Sequence, residues 1–468
     1  MAKRFNLDRG LDLPLAGEPA QTLPAHGSGP IIRSVGLVGD DYVGMKPTME
    51  VAVGDRVKLG QVLFTDKKTE GVKYTSPGAG TVSAVNRGAK RKFESVVVEL
   101  DGDEAVAFTA HRNTNLSQLP RETVQRQLVD SGLWTTLRTR PFTKVPTPGT
   151  TPYAVFVTAI DTSPLAPDPA VVVAGAPADF EAGLQVLTTL TDGTTWLCTK
   201  AGAELPGEDL PGVEVAEFAG PHPAGLPGTH MHHLAPVSLD RQCWSVGYQD
   251  VLAIGRLFLT GELDVGRVVS VAGPVVNEPQ LVRTRVGASL ADLTANSGAA
   301  TNGVRTISGS VFGGRTSEAM REHLGRLHNQ VTQLIEGTQR DFIGWMGPGF
   351  GKFSITNVFA AKWPPPKFVT DLLAFLPQPQ EKFPLTTSTE GSHRAIVPLG
   401  NYEKVMPLDL VPTPLLKSIV VGDTDELQRL GGLELDEDDL GLCSFVCASK
   451  NDYGPMLREC LTSIERDG

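Results

Sequence analysis

Four histidines crowd the segment "GPHPAGLPGTHMHHL": His222, His230, His232 and His233. Imidazoles this dense raise the question of a metal, but a structural zinc needs four convergent ligands, and no cysteine pair accompanies them. They read as loop histidines satisfied by neighbouring polar groups. Cys443 and Cys447, after "LDEDDLGL", stand four apart, so a helix would turn both thiols to one side. Iron–sulfur centres gather four cysteines, usually in Cys-x-x-Cys steps, and Cys460 is the one further candidate nearby. The pair therefore reads as thiols facing a core. "GSVFGGRT" (residues 309–316) has phosphate-loop spacing, with Arg315 where that loop carries lysine. The chemistry asks for a buried strand before the loop, a helix after it whose N–H groups cradle phosphate, and the point charge of a lysine. A Gly-rich turn is the expected outcome, and "GPGFGK" (residues 347–352) reads the same way. No nucleophile elbow and no spaced pair of catalytic carboxylates stands out, so no catalytic or metal-ligating residue is assigned.

Residues 54–82, "GDRVKLGQVLFTDKKTEGVKYTSPGAGTV", read like the carrier hairpin of a biotin or lipoyl domain. Such a carrier presents one lysine alone at a tight tip, inside Met-Lys-Met or Asp-Lys-Ala. Here Lys67 and Lys68 are adjacent and Lys73 follows beyond a glycine. The expectation is the scaffold without a covalently bound group, its three lysines lying on the surface.

The elements that must position these residues follow from composition and periodicity. At 468 residues the chain is long enough for several domains, each with its own core. Acidic residues (53) outnumber basic ones (42), and the net charge of -11 disfavours nucleic acid as a partner. Five cysteines and an N-terminus without an apolar leader core imply reduced thiols, and no apolar run approaches the roughly 18 residues of a membrane span. Glycine (50) and proline (35) exceed average usage, which favours short strands and many turns.

The fold expected is multi-domain α+β. Residues 1–36 form an irregular strap. Residues 37–103, with β-branched runs between Gly turns, form a small β barrel-sandwich of the biotinyl/lipoyl-like kind. Residues 104–255 alternate strand and helix as a Rossmann-like α/β domain: a helix in "LPRETVQRQLVDSGLWTTLR", buried strands "YAVFVTAI" and "AVVVAG", a helix in "DFEAGLQVLTTL", then strands "TTWLCTK" and "VEVAEF". Residues 256–330 form a β-grasp module, a hairpin followed by a short helix opened by Ser289 and Asp292. Residues 331–468 are mainly helical, with an amphipathic helix over "EHLGRLHNQVTQLI" at their start.

One stretch departs from the acidic average. Residues 342–370, "FIGWMGPGFGKFSITNVFAAKWPPPKFVT", carry seven aromatics, three lysines and no acid. Aromatic, acid-poor surface marks interfaces, so Trp345, Phe350, Lys352 and Trp363 are expected to face a partner. The competing reading is a local aromatic core under a Pro-rich loop.

"RGLDLPLAGEP", "VGLVGDDYVGMKPTMEVAVGDRVKLGQVLFTDKK", "GVKYTSPGAGTVSAVNRG", "QDVLAIGRLFLTGEL", "KFSITNVF" and "LELDEDDLGLCSFVCASKNDYGPMLRECL" resemble, in collinear order, the A-type subunit of the bacterial Na+-translocating NADH:quinone reductase, the Nqr complex. The chain is identified as a member of that family. The resemblance implies a β-grasp domain of the SLBB-like kind and a peripheral protein on the cytoplasmic face of the bacterial inner membrane. Its six-subunit respiratory complex passes electrons from NADH to ubiquinone and exports sodium. NAD, FAD, FMN and the 2Fe-2S centre are then expected on other Nqr subunits, with the membrane B-type subunit and ubiquinone as partners of this one. The layout is also similar to the C-type subunit of the Rnf complex and to the flavin-binding NADH dehydrogenase subunit of complex I. Those relatives hold FMN on a "GGAGFPT"-like loop followed by an "NGAECEP"-like segment. The matching stretches here, residues 130–146 ("DSGLWTTLRTRPFTKVP") and 157–169 ("VTAIDTSPLAPDP"), lack the glycines and the cysteine, so no close backbone approach to a flavin phosphate is expected. The alternatives are an FMN-dependent NADH dehydrogenase-like subunit and a lipoyl or biotin carrier.

Overall fold

In the computed structural model, which describes residues 2–112, 114–299, 303–338, 352–356 and 381–467, the chain leads with a strand that belongs to a distant sheet. β1 (Lys3–Asn6) pairs in parallel with residues 216–219. The strap then crosses the molecule. Gly10 N–H donates to Lys404 O (2.9 Å), Leu11 N–H to His222 O (2.8 Å) and Ala20 N–H to Pro279 O (3.0 Å). Gly17, at φ +82°, lies flat against Gly273, whose carbonyl a Cβ would overlap.

The barrel-sandwich follows from alternation. β2 (Ser34–Val38), β3 (Pro47–Met49), β4 (Arg56–Val57), β5 (Val62–Asp66), β6 (Lys73–Thr75), β7 (Gly80–Arg87) and β8 (Phe93–Leu100) form two antiparallel sheets, ordered β2-β8-β7-β4 and β3-β5-β6. Val96 and Val98 of β8 turn inward and are buried with Val35, Leu63, Phe64 and Val82. Phe64 stacks on Tyr74 at 4.5 Å, and Tyr42 meets Tyr74 edge-on at 4.7 Å.

The α/β unit contains α1 (Arg121–Ser131), β9 (Arg138–Arg140), β10 (Ala154–Ala159), α2 (Pro169–Val173), α3 (Pro177–Thr188), β11 (Thr195–Lys200), β12 (Val213–Ala219), α4 (Pro227–Leu234), β13 (Cys243–Gly247) and α5 (Tyr248–Thr260). Its sheet runs β1-β12-β11-β10-β13-β9, parallel except for β9. "AVFVTA" in β10 is apolar almost throughout, as a parallel strand covered on both faces must be. α3 and α5 cross so tightly that a Cβ on Gly183 would meet Val251 O and one on Gly255 would meet Asp179 O. "AVVVAG", expected as a strand, is instead the helix α2. Asp168 caps it by accepting from Ala170 N–H (2.9 Å) and Pro169 presets its first turn, and these local signals outweigh the β-branched run.

β14 (Gly266–Ala272), β15 (Gln280–Arg285), α6 (Leu290–Thr294), β16 (Val304–Ser308), β17 (Arg315–Thr316) and β18 (Gln330–Ile335) make the β-grasp unit, ordered β15-β14-β18-β16-β17. Ser289 caps α6 as expected. "EHLGRLHNQVTQLI" does not form the expected amphipathic helix, and its second half is the strand β18. That strand pairs with β14 on one side and β16 on the other, and all but its last residue is buried, so two ladders of backbone hydrogen bonds override a helical spacing.

The C-terminal unit packs α7 (Asn401–Val405), α8 (Pro412–Val421), α9 (Thr424–Arg429), α10 (Gly441–Val446) and α11 (Tyr453–Asp467). Its core includes Leu415, Leu416, Ile419, Leu427, Leu440 and Tyr453, and Leu457, Cys460, Leu461 and Ile464 supply it from one face of α11.

Candidate functional site

Open α/β sheets bind ligands outside the carboxyl ends of the strands, where strand order reverses. Here that point lies between β10 and β13, and the chain fills it with its own β-grasp sheet. The loop after β10 is held by Ser270 Oγ donating to Leu165 O (2.6 Å) and Gln330 Nε2 donating to Pro164 O (2.9 Å). At the start of α5, Gln249 accepts from Val268 N–H (2.8 Å) and donates to Val268 O (2.7 Å) and Asn329 Oδ1 (3.0 Å). Asp250 supplies the negative charge that a helix N-terminus favours, and it is clasped by Arg267 and by Arg326 (2.9 Å). These side chains take the space and the polar groups that a flavin or dinucleotide phosphate would need, so the residues at this crevice do not fit such a group.

Residues 130–146 are equally closed. Trp134 is fully buried, donates its Nε1–H to Pro146 O (2.7 Å) and packs edge-on against Trp244 at 5.4 Å. The remainder of the segment clamps the C-terminal unit. Arg140 is buried between Asp436 and Asp439 (2.8 Å) and also donates to Glu434 O (2.7 Å). Burial pulls the Arg140 pKa down, but the two carboxylates more than reverse that and hold it above its ordinary value. Arg458 donates to Phe142 O (2.8 Å) and to both oxygens of Glu437, and Lys144 reaches Glu465 (2.5 Å).

Beside this crevice a small open cleft of about 30 Å³ lies where barrel, α/β unit and β-grasp unit meet. Tyr42 and Tyr74 come from the barrel, Thr135 from the α/β unit, Asp264 from the link that follows it and Arg326 from the β-grasp unit, among leucines and valines. Burial pushes the Tyr42 pKa up to about 12 and raises that of Tyr74 as well, so both phenols stay protonated. Arg138 lies behind Tyr42, its guanidinium 5.7 Å from the ring centroid. The sequence signal for this site is charge inside apolar elements, such as Asp250 in "GYQDVLAIG" and Arg267 before "VVSVAG", but no spacing rule joins positions so far apart.

The residues singled out by sequence are dispersed. His232 donates Nδ1–H to Glu434 (2.7 Å) and accepts from Asp409 N–H (2.9 Å), while His222 and His230 are buried. Among the described residues no cluster of three or more His, Cys, Asp or Glu is placed to hold a metal. α10 ends at Val446, so Cys447 is its C-cap, and both thiols are buried in the C-terminal core as expected. Burial raises the Cys447 pKa, and donors from Tyr402 (3.1 Å), Tyr453 (3.4 Å) and Asn451 N–H (3.4 Å) outweigh it to bring the value below normal. The loop before Arg315 leads into β17 rather than a helix, and Arg315 pairs with Asp41. Lys67 and Lys68 are exposed, whereas Lys73 is tied to Asp130 at 2.6 Å and docks the hairpin on α1. Trp345, Phe350 and Trp363 lie outside the described residues. Lys352 pairs with Glu390 at 2.7 Å, and its neighbour Phe353 stacks inward on Phe383 at 5.0 Å.

Residues 5–101 match the family model described as the NqrA N-terminal barrel-sandwich hybrid domain, 119–263 the NqrA second alpha/beta domain, and 268–319 the NQRA C-terminal domain. The A-type subunit of the Na(+)-translocating NADH-quinone reductase of Cellvibrio japonicus is 53% identical over 464 residues, 99% of this chain and 100% of that one. The proteins of the same name from Pseudomonas aeruginosa and Vibrio anguillarum are 54% and 52% identical, each over 99% of this chain and 100% of their own. An NAD+-reducing [NiFe]-hydrogenase in the H2-reduced state overlaps 50% of this chain and 52% of its own at 15% identity and a TM-score of 0.34, too distant to bear on function. Near-identity in length, identity above half, and three family domains in order lead to one conclusion: the chain belongs to the NqrA family, the A-type subunits of the Na(+)-translocating NADH-quinone reductase.

Proposed function

We propose that this chain is a peripheral, cytoplasm-facing component of a sodium-exporting NADH:ubiquinone reductase and supports quinone reduction without a redox cofactor of its own. The observation that carries this reading is the filled crevice at the β10/β13 switch point, where Leu165, Gln249 and Gln330 stand in for a flavin or nucleotide. Among the described residues no helix is long and apolar enough to cross a membrane, which suits a protein held in its complex by neighbours. NAD, FAD, FMN and 2Fe-2S chemistry then belongs to those neighbours, the membrane B-type subunit among them, and ubiquinone is met where this chain touches them. Trp345, Phe350, Lys352 and Trp363 are the residues proposed for that contact.

The test is reconstitution of the complex from separately purified parts. The isolated chain should show no flavin absorbance. NADH:ubiquinone reductase activity should fall when the chain is omitted and return when it is added. Trp345→Ala combined with Trp363→Ala should weaken that reassembly about tenfold or more, as loss of two aromatic anchors from an interface does. Stoichiometric flavin on the isolated chain would overturn the cofactor-free reading. Wild-type reassembly by the double variant would overturn the interface.

A further inference from the structure

We infer that the cleft at the junction of barrel, α/β unit and β-grasp unit is a binding site for a small oxyanion of carboxylate or phosphate size. This goes beyond the assembly role above and does not depend on it.

Charge is the first observation. Four arginines surround the junction and are mostly or wholly buried: Arg138, Arg267, Arg315 and Arg326. Asp250 is shared by Arg267 and Arg326, and Asp41 is paired with Arg315 and accepts from Arg326 N–H (3.0 Å). Arg138 is left to three carbonyls: Thr135 O (2.6 Å), Leu137 O (3.0 Å) and Asp41 O (3.0 Å). It is 5% exposed. Burying a guanidinium without a carboxylate is unfavourable, and an anion in the adjacent cleft supplies the missing charge. The carboxylate on the lining, Asp264, is engaged by Gly266 N–H (2.7 Å), and Asp66, the acid of the neighbouring barrel strand, accepts from Lys46 N–H (3.0 Å) and Lys68 N–H (2.8 Å).

An unpartnered donor is the second. Tyr74 lines the cleft, is 2% exposed, and its hydroxyl has no hydrogen-bond partner among the described residues. An unpaired buried hydroxyl is destabilising, and an acceptor oxygen in the cleft would remove that penalty. Size is the third. The cleft holds about 30 Å³, room for about two waters and the footprint of a carboxylate, and a phosphate would project from its open side. A quinone ring is too large for it.

The experiment is thermal unfolding of the full chain titrated with phosphate, sulfate or acetate, ionic strength being held constant with chloride. At least one oxyanion should raise the melting temperature saturably. Tyr74→Phe should bind that anion about 10- to 150-fold more weakly, the loss expected for one hydrogen bond to a charged group, while melting in chloride no lower than wild type. The choice among the three anions separates a carboxylate from a tetrahedral ligand. No saturable rise with any of them, or equal anion affinity in the Tyr74→Phe protein, would overturn the proposal. So would an equal loss of stability by that variant in chloride and oxyanion, which would mean that water alone satisfies Tyr74.

Discussion

Three histidines are withdrawn from water in their neutral form. His222 (2% exposed) shares a hydrogen bond with Thr162 Oγ1 at 3.1 Å, His230 (0%) donates to Ala224 O at 3.0 Å, and His323 (8%) lies under Gly36. Burial lowers their pKa values to about 4, about 3 and about 4, from 6.5 in the unfolded chain. The unfolded state therefore takes up protons first as pH falls. Their contribution to stability is complete above about pH 6.5 and is lost progressively down to about pH 4, at about 1.4 kcal/mol per histidine between about pH 7.5 and 5.5. Imidazole proton signals followed by NMR over that interval should stay at their neutral positions for these three rings, and a ring titrating near the ordinary value would refute its assignment. Legibility at this scale is uneven. "THMHHL" displays its imidazoles, yet what fixes their state is burial against Phe218 and Ala224, which no spacing reveals. Tyr74 and Arg138 carry no sequence signal, because each matters only through neighbours from another unit.

Among elements, the α3/α5 crossing shows how little side-chain volume the α/β unit tolerates. Gly255→Ala would drive a methyl into Asp179 O, so the helices must separate. The expected destabilisation is about 1–3 kcal/mol, read as a lower urea midpoint, and wild-type stability in that variant would show that the crossing can relax. Elements with a strong local signature are legible in the sequence, including β10, β11, β12, α3 and the capped α6. The two elements that differ from expectation do so for opposite reasons. α2 carries β-branched residues but begins with an Asp-Pro start signal, which decides its conformation. β18 carries helical spacing but is claimed by two neighbouring strands, a tertiary effect invisible to any window of sequence. Likewise "LRTRPFTK" reads in sequence as part of a lost cofactor loop. Its work in the fold, clamping residues 434–465 through Arg140, Phe142 and Lys144, depends on a C-terminal unit some three hundred residues away.

For the whole molecule, the strap is the element whose removal reaches furthest. It adds an edge strand to β12, bonds the C-terminal unit at Lys404, bridges Leu15 to Phe383 and runs along the β-grasp sheet at Pro279. Deleting residues 2–20 should leave the barrel core intact but loosen the other three units from one another. Trypsin should then cut between them several-fold faster than in the full chain, and an unchanged digestion pattern would show that the clamp at Arg140 suffices alone. The order of domains is legible because each carries its own periodicity. The strap's path is not, since an irregular Pro/Gly-rich lead has no periodicity to read.

That path also sets a timetable. Glu18 pairs with Lys382, 364 positions later, so this segment leaves the ribosome long before its seat is made. Residues 3–6 can join β12 once the α/β sheet assembles, but residues 15–18 must wait as an open chain until residues 382–383 are made. Until β1 docks, the edge of β12 is bare, and an exposed strand edge invites pairing with a second nascent copy, so the risk of misassembly is concentrated in that interval.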